Sequence, residues 1–169
     1  VEVVVHGAMP GLGSHVHYDR RLDARLAAAL MSIQAIKAVE IGDGLASARR
    51  RGSEAHDEIR FDGDFVRDTN RAGGIEGGMS MGGIIRVRAA MKPLSNLMRA
   101  LSTVDVDTKE PEKAIRERSD VCAVPAAGIV AEHMVAVVLA QEVQRKFGGD
   151  TIGDLVGAVD HYRRRLAEF

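Results

Sequence analysis

The densest chemical signal in this 169-residue chain runs from Asn70 to Lys92. Between Asn70 and Gly83, six of the eighteen glycines fall within fourteen residues, and an Ile/Val/Arg stretch then leads to Lys92-Pro93. Glycine at this density costs backbone entropy, so it marks places where the chain turns with positive φ or approaches something closely. Paired glycines leave amide N–H groups uncovered, and successive uncovered N–H groups form anion-binding concavities. Lys92 can supply a countercharge. This chemistry suits a phosphorylated or otherwise anionic ligand. The same residues also suit a glycine-rich hairpin where two layers pack closely, and both readings stay open here. Neither G-x-G-x-x-G nor G-x-x-x-x-G-K-[ST] occurs, so the dinucleotide and P-loop fingerprints do not apply.

Other reactive side chains are sparser. Arg118 and Asp120 sit two apart and form either a surface ion pair or an anion-binding fork beside a carboxylate. Gln34 reads as a mid-helix, solvated amide. Cys122 lies in the apolar run Val121–Pro125 and reads as a small buried hydrophobe; a lone cysteine excludes an internal disulfide framework and suits a reducing compartment. The six histidines show no metal-ligand spacing, so no metal is assigned.

Composition bounds the rest. Apolar residues at 46% and charged residues at 28% are ordinary globular values, and 18.2 kDa fits one domain over residues 1–169. A net charge of −1 argues against nonspecific nucleic-acid binding, and the absence of Trp leaves no stacking platform. The triplets Arg49–Arg51 and Arg163–Arg165 read as solvated faces. No apolar run is read as approaching a membrane span and no signal peptide opens the chain, so a cytoplasmic location is the expectation.

The elements that must position these groups follow from periodicity. Val1–His6 reads as a strand whose abrupt start suggests the C-terminal piece of something longer. Asp19 is placed to cap a helix in which Leu22, Leu26, Leu30, Ile33 and Ile36 recur at helical spacing. Val39–Ile41 is a brief strand, and residues 45–69 are a surface excursion. Ile84–Met91 alternates, with Arg86 and Arg88 on one side. Leu97–Val106 reads as another strand, broken by a turn at 108–112. Pro125 opens a helix to Phe147 that should be well buried; Gly148-Gly149 ends it. Thr151 and Asp154 have capping-box spacing for a last helix to about Arg165. The irregular order makes the fold α+β, with apolar helices layered between sheets.

Three segments together resemble the C-terminal part of the chorismate synthase family. They are Ala29–Gly44, then Asn70–Gly78 with Lys92-Pro93, then Arg118-Ser119-Asp120 followed by Cys122 and Pro125. The ending Lys146–Asp150 is also similar. The resemblance covers nearly the whole chain. It implies a β-α-β sandwich, here an incomplete portion, in a homotetrameric shikimate-pathway lyase of aromatic amino acid biosynthesis. The implied reaction is the 1,4-anti elimination of phosphate from 5-enolpyruvylshikimate 3-phosphate to give chorismate. The implied cofactor is reduced FMN, and the resemblance also associates the enzyme with NADP.

By motif, the flavin contacts fall on Gln34, Ala35, Gly77, Lys92, Pro93, Leu94, Ser95, Asn96 and Arg118, with Arg118 also toward substrate and Asp120 as the catalytic acid–base group. Met81, Gly83 and Asn96 depart from the usual family residues, and Ser119 stands where His is frequent. The family's N-terminal histidines and arginine-rich loops lie outside these residues. A flavin- or phosphate-binding remnant that serves only in binding or assembly is the alternative.

Overall fold

The computed structural model describes residues 1–95, 97–115 and 121–169. Its centre is an antiparallel sheet of three strands: β1 (Glu2–Val5), β2 (Ile36–Ile41) and the middle strand Ile85–Met91, in the order β1–middle–β2. Side chains alternate across the pleat, so Val3, Ile85, Val87 and Ala89 are buried on one face. The other face carries the expected Arg86 and Arg88. There Glu2 and Glu40 pair in register with Arg88, a cross-strand row of alternating charge. Arg88 reaches Glu40 at 3.4 Å and Glu2 at 3.9 Å.

Two helices cover the apolar face. In α1 (Leu22–Met31), Leu22, Leu26 and Leu30 recur every fourth residue, and all three are fully buried. Each contributes about 1.5–3 kcal/mol of burial. The helix does not continue to Ile36 as the spacing predicts. Ser32 Oγ donates to Ala29 O at 2.7 Å, and Ala35 then adopts φ +65°. That left-handed residue reverses the chain, so Ile36 opens β2 opposite Met91. Gln34 therefore lies in the reversing turn, exposed, rather than mid-helix. Nor does Asp19 cap α1; it belongs to a short 3-10 helix, Tyr18–Arg20.

The long helix forms as α4 (Val124–Phe147), after two single-turn helices, α2 (Gly44–Ser47) and α3 (Gly52–Ala55). Only one stripe of it is buried: Ala127, Ala131, Val135, Val138 and Glu142. Ile129, Val130 and Val137 face outward, against the expectation of a well-buried helix. The reason is that α1 and the sheet contact a single side of it. Contrary to the sequence reading, α4 is long and apolar enough by length and composition to cross a membrane, with an 18-residue window of mean hydropathy 1.6. A helix at the core of a soluble protein satisfies the same test. In α5 (Ile152–Ala167) the capping box closes as predicted: Thr151 Oγ1 accepts from Asp154 N at 3.2 Å, and Asp154 Oδ2 accepts from Thr151 N at 3.0 Å.

Residues 45–69 are the surface excursion expected of them. They hold α2, α3 and an exposed hairpin of β3 (Ile59–Phe61) and β4 (Phe65–Arg67). The glycine run forms β5 (Ile75–Glu76) and β6 (Met79–Ser80), which makes the middle strand of the main sheet β7. The strand expected over Leu97–Val106 shrinks to β8 (Ser102–Val104), paired with β9 (Pro111–Lys113). Asp105 Oδ1 accepts from the N–H groups of Asp107 and Thr108, which turns the chain early. Cys122 is exposed, which corrects its reading as a buried hydrophobe: it sits just ahead of α4, outside the stripe that packs.

Candidate functional site

The glycine run is a closely packed hairpin at Gly73 and Gly78, with Gly77 exposed at the turn. Gly77 and Gly78 form the two-residue turn between β5 and β6, with φ of +59° and +86°. Positive φ at both positions is what a type I′ hairpin turn requires. Gly78 is buried and its carbonyl accepts from Leu22 N at 2.8 Å and Ser14 N at 3.3 Å. The first of these bonds satisfies an amide at the start of α1, which explains why that helix needs no side-chain cap. Gly73 is buried against Gly42, where a Cβ on either would approach the other's backbone nitrogen within 2.4 Å. These are close-packing glycines. Gly77 differs: it is exposed, and a Cβ there would meet nothing within 4 Å.

Two polar anchors hold this hairpin. Ser80 is buried; its hydroxyl donates to Met9 O at 2.5 Å and accepts from Leu12 N at 2.9 Å. Asp57, 8% exposed, accepts from Arg71 N at 2.8 Å, from Ala72 N at 2.9 Å and from the Thr69 hydroxyl. Burial pushes the Asp57 carboxyl up, but the Thr69 hydroxyl, the two amides and the Arg71 charge outweigh it and hold the group below the usual carboxylate range. Asp43 is also held low, by the Arg50 guanidinium first and the Arg86 guanidinium second.

A second cluster forms where α1 runs out. Lys92 N donates to Ala35 O at 2.9 Å, so the reversing turn that carries Gln34 lies against the end of β7. The Lys92 side chain is exposed and forms no ion pair among the described residues. Pro93 and Ser95 are exposed beside it and Leu94 is half-buried. Asn96, Arg118 and Asp120 lie outside the described residues. The structure thus brings Gln34, Ala35, Lys92 and Pro93–Ser95 together but sets Gly77 apart. The Gly77–Gly78 turn sits at the start of α1, and ten helical residues separate it from the reversing turn by about 15 Å.

Sequence reasoning passed over Asp57, Ser80 and Glu142. Glu142 carried a usable signal. It falls on the stripe of Ala127, Ala131, Val135 and Val138, an acid at a core position with Arg145 three residues on. No group of three or more His, Cys, Asp or Glu among the described residues is placed to hold a metal ion.

The fold and site define an α+β protein in which a helical layer on an antiparallel sheet carries an exposed glycine turn at one helix end and an exposed lysine at the other. Comparison with known proteins narrows that class. The family model described as Chorismate synthase matches residues 1–144. The chain is 70% identical over 153 residues to a chorismate synthase of Acidothermus cellulolyticus, covering 90% of this chain and 39% of that protein. With the chorismate synthase of Leifsonia xyli subsp. xyli it shares 62% identity over 172 residues, covering 99% of this chain and 43% of the other. A crystal structure of chorismate synthase matches with a TM-score of 0.82 and 40% identity, over 99% of this chain and 44% of that one. The chain belongs to the chorismate synthase family. It spans about two fifths of the length of the curated relatives it matches.

Proposed function

We propose that the protein carrying this chain is a chorismate synthase, and that these residues supply the flavin side of its site. The reaction is the 1,4-anti elimination of phosphate from 5-enolpyruvylshikimate 3-phosphate. The observation that carries the reading is the Ala35–Lys92 junction. An exposed ammonium with no ion pair among the described residues is fixed by its own backbone to a left-handed turn, in a chain of this family. Such a site fits an anionic cofactor. Lys92 would neutralise a phosphate or an anionic ring, and Gln34 and Ser95 would hydrogen-bond to its edge. Pro93 and Leu94 would shield it from water. Gly77 would approach from the far end of α1.

Reduced FMN, when bound, supplies the electron-rich ring that the elimination requires. Asn96, Arg118 and Asp120 enter through the family motif. Arg118 would offer its guanidinium to phosphate or carboxylate, and Asp120 would hold or move a proton. A homotetramer, cytoplasmic placement and an NADP-linked supply of reduced flavin belong to the same reading.

The test is phosphate release under anaerobic conditions, with reduced FMN titrated into the full-length protein. Asp120→Asn should lower turnover by about 10²–10⁴-fold with little change in FMN affinity. Lys92→Ala should do the reverse, weakening FMN by roughly 1.5–3 kcal/mol through the loss of a charge-assisted bond. FMN binding without any turnover in the wild type would favour the binding remnant. Normal turnover with poor FMN binding in Asp120→Asn would make Asp120 structural.

A further inference from the structure

The C-terminal turns of α4 grip a loop that the flavin reading leaves unexplained. Glu142 is fully buried. Its Oε2 accepts from Gly13 N at 3.1 Å and from Arg145 at 2.9 Å (Nε) and 2.6 Å (Nη2), while its Oε1 pairs with Arg25 of α1. Arg145 Nη2 also donates to Gly13 O at 2.8 Å. One helix therefore holds both backbone groups of Gly13 through an acid and a base three residues apart. A turn further on, Lys146 Nζ donates to Gly11 O at 2.9 Å and to Pro10 O at 3.3 Å.

The gripped loop in turn holds the glycine hairpin. Gly11 N donates to Ser80 O at 2.7 Å, Ser80 N to Leu12 O at 2.9 Å, and Ser14 N to Gly78 O at 3.3 Å. Gly13 bridges Met79, and any Cβ on it would lie 2.4 Å from Gly78 O. Position thus passes from Glu142 to Gly13 and from Gly13 to the Gly77–Gly78 turn.

We propose that Glu142, with Arg145, is a positioning residue for the Gly77–Gly78 turn and thereby for the ligand that the turn meets; the second half rests on the reading of Gly77 as a flavin contact. A buried ion pair is poor evidence of stability, since apolar residues of similar volume hold helices together as well. It does give direction. One bond accepted from the Gly13 N–H and one donated to its carbonyl fix both of its backbone groups, and a site works only when its supporting shell holds it to within about half an ångström.

The test uses the full-length protein and Glu142→Gln, which removes the charge and keeps the size. Hydrogen exchange should show the amides of Gly11, Ser14 and Ser80 losing about tenfold in protection, while those of Val87 and Ala89 in β7 keep theirs. Reduced FMN should bind about tenfold more weakly, with turnover at saturating FMN unchanged. Val135→Ala, a cavity in the same helix away from Gly13, separates position from stability: matched in thermal loss, it should leave both readouts at wild type. Where Glu142→Gln does not fold, Arg145→Gln, whose side chain is 41% exposed, should give the same selective loss in smaller measure. Unselective loss, no loss at the three amides, or the same pattern from Val135→Ala would overturn the proposal. Selective loss with unchanged FMN affinity would support the positioning of the turn and refute Gly77 as a flavin contact.

Discussion

Asp57→Asn isolates a single anchor of the glycine segment. In the wild type, Oδ1 receives the Thr69 hydroxyl and the Arg71 amide, and Oδ2 receives the Ala72 amide. Asparagine keeps one oxygen and replaces the other with an NH2 group. With the oxygen kept on the Thr69–Arg71 side, the NH2 meets the Ala72 N–H, donor against donor. Leaving one buried donor unmet costs about 1–3 kcal/mol, and the remaining bonds lose their charge assistance. The expected loss is about 2–4 kcal/mol at neutral pH, a large share of a typical domain's stability. Urea unfolding followed by circular dichroism reads it directly.

The pH dependence has a definite sign. The Asp57 carboxyl sits below its ordinary value when folded. Its contribution is therefore complete above about pH 4 and falls away as pH drops through the folded value. Wild type and variant should differ most near pH 7 and converge in acid. A variant within about 0.5 kcal/mol of wild type at pH 7, the scatter of ordinary surface changes, would refute the reasoning. So would a gap that persists undiminished at pH 2.

Two further substitutions test the frame around it. Gly13→Ala sets a Cβ 2.4 Å from Gly78 O and 2.8 Å from Leu22 Cβ at φ +96°. It should destabilise by about 3 kcal/mol or more and lower the thermal midpoint by several degrees. Thr151→Ala removes one half of the capping box and should cost about 0.5–2 kcal/mol, read as a lower urea midpoint without change in the FMN titration.

The parts legible in the sequence were those whose signals are local. The Thr151–Asp154 box, the proline in the first turn of α4 and the alternation of β7 need only neighbours a few residues away. The errors fall where tertiary contact overrides a period. Ile33 and Ile36 continue the spacing of α1, yet Ala35 turns left-handed because β7 offers Ile36 a ladder and Lys92 N offers Ala35 O a partner. Leu97–Val106 has strand composition but finds a partner only at Ser102–Val104. An apolar neighbourhood does not bury Cys122, since burial depends on which face of α4 the chain meets. Within the site, Lys92 and Gly77 stood out by type. Glu142 carried only the mark of an acid on the buried stripe of α4; what it holds, a loop 129 residues earlier in the chain, no local pattern could show.

The reversing turn and the glycine turn lie at opposite ends of α1, which sets how this part of the chain can change in length. One residue inserted into Leu22–Met31 would rotate everything beyond it by about 100° and advance it about 1.5 Å. Leu30 would then leave the core, and Ala35 O would no longer face Lys92 N. The tip of the β3–β4 hairpin at Gly63 is exposed, and a Cβ there would meet nothing within 4 Å, so residues added there displace no buried group among the described residues. Length variation among relatives should therefore concentrate at the hairpin tip, while α1 varies by substitution at constant length.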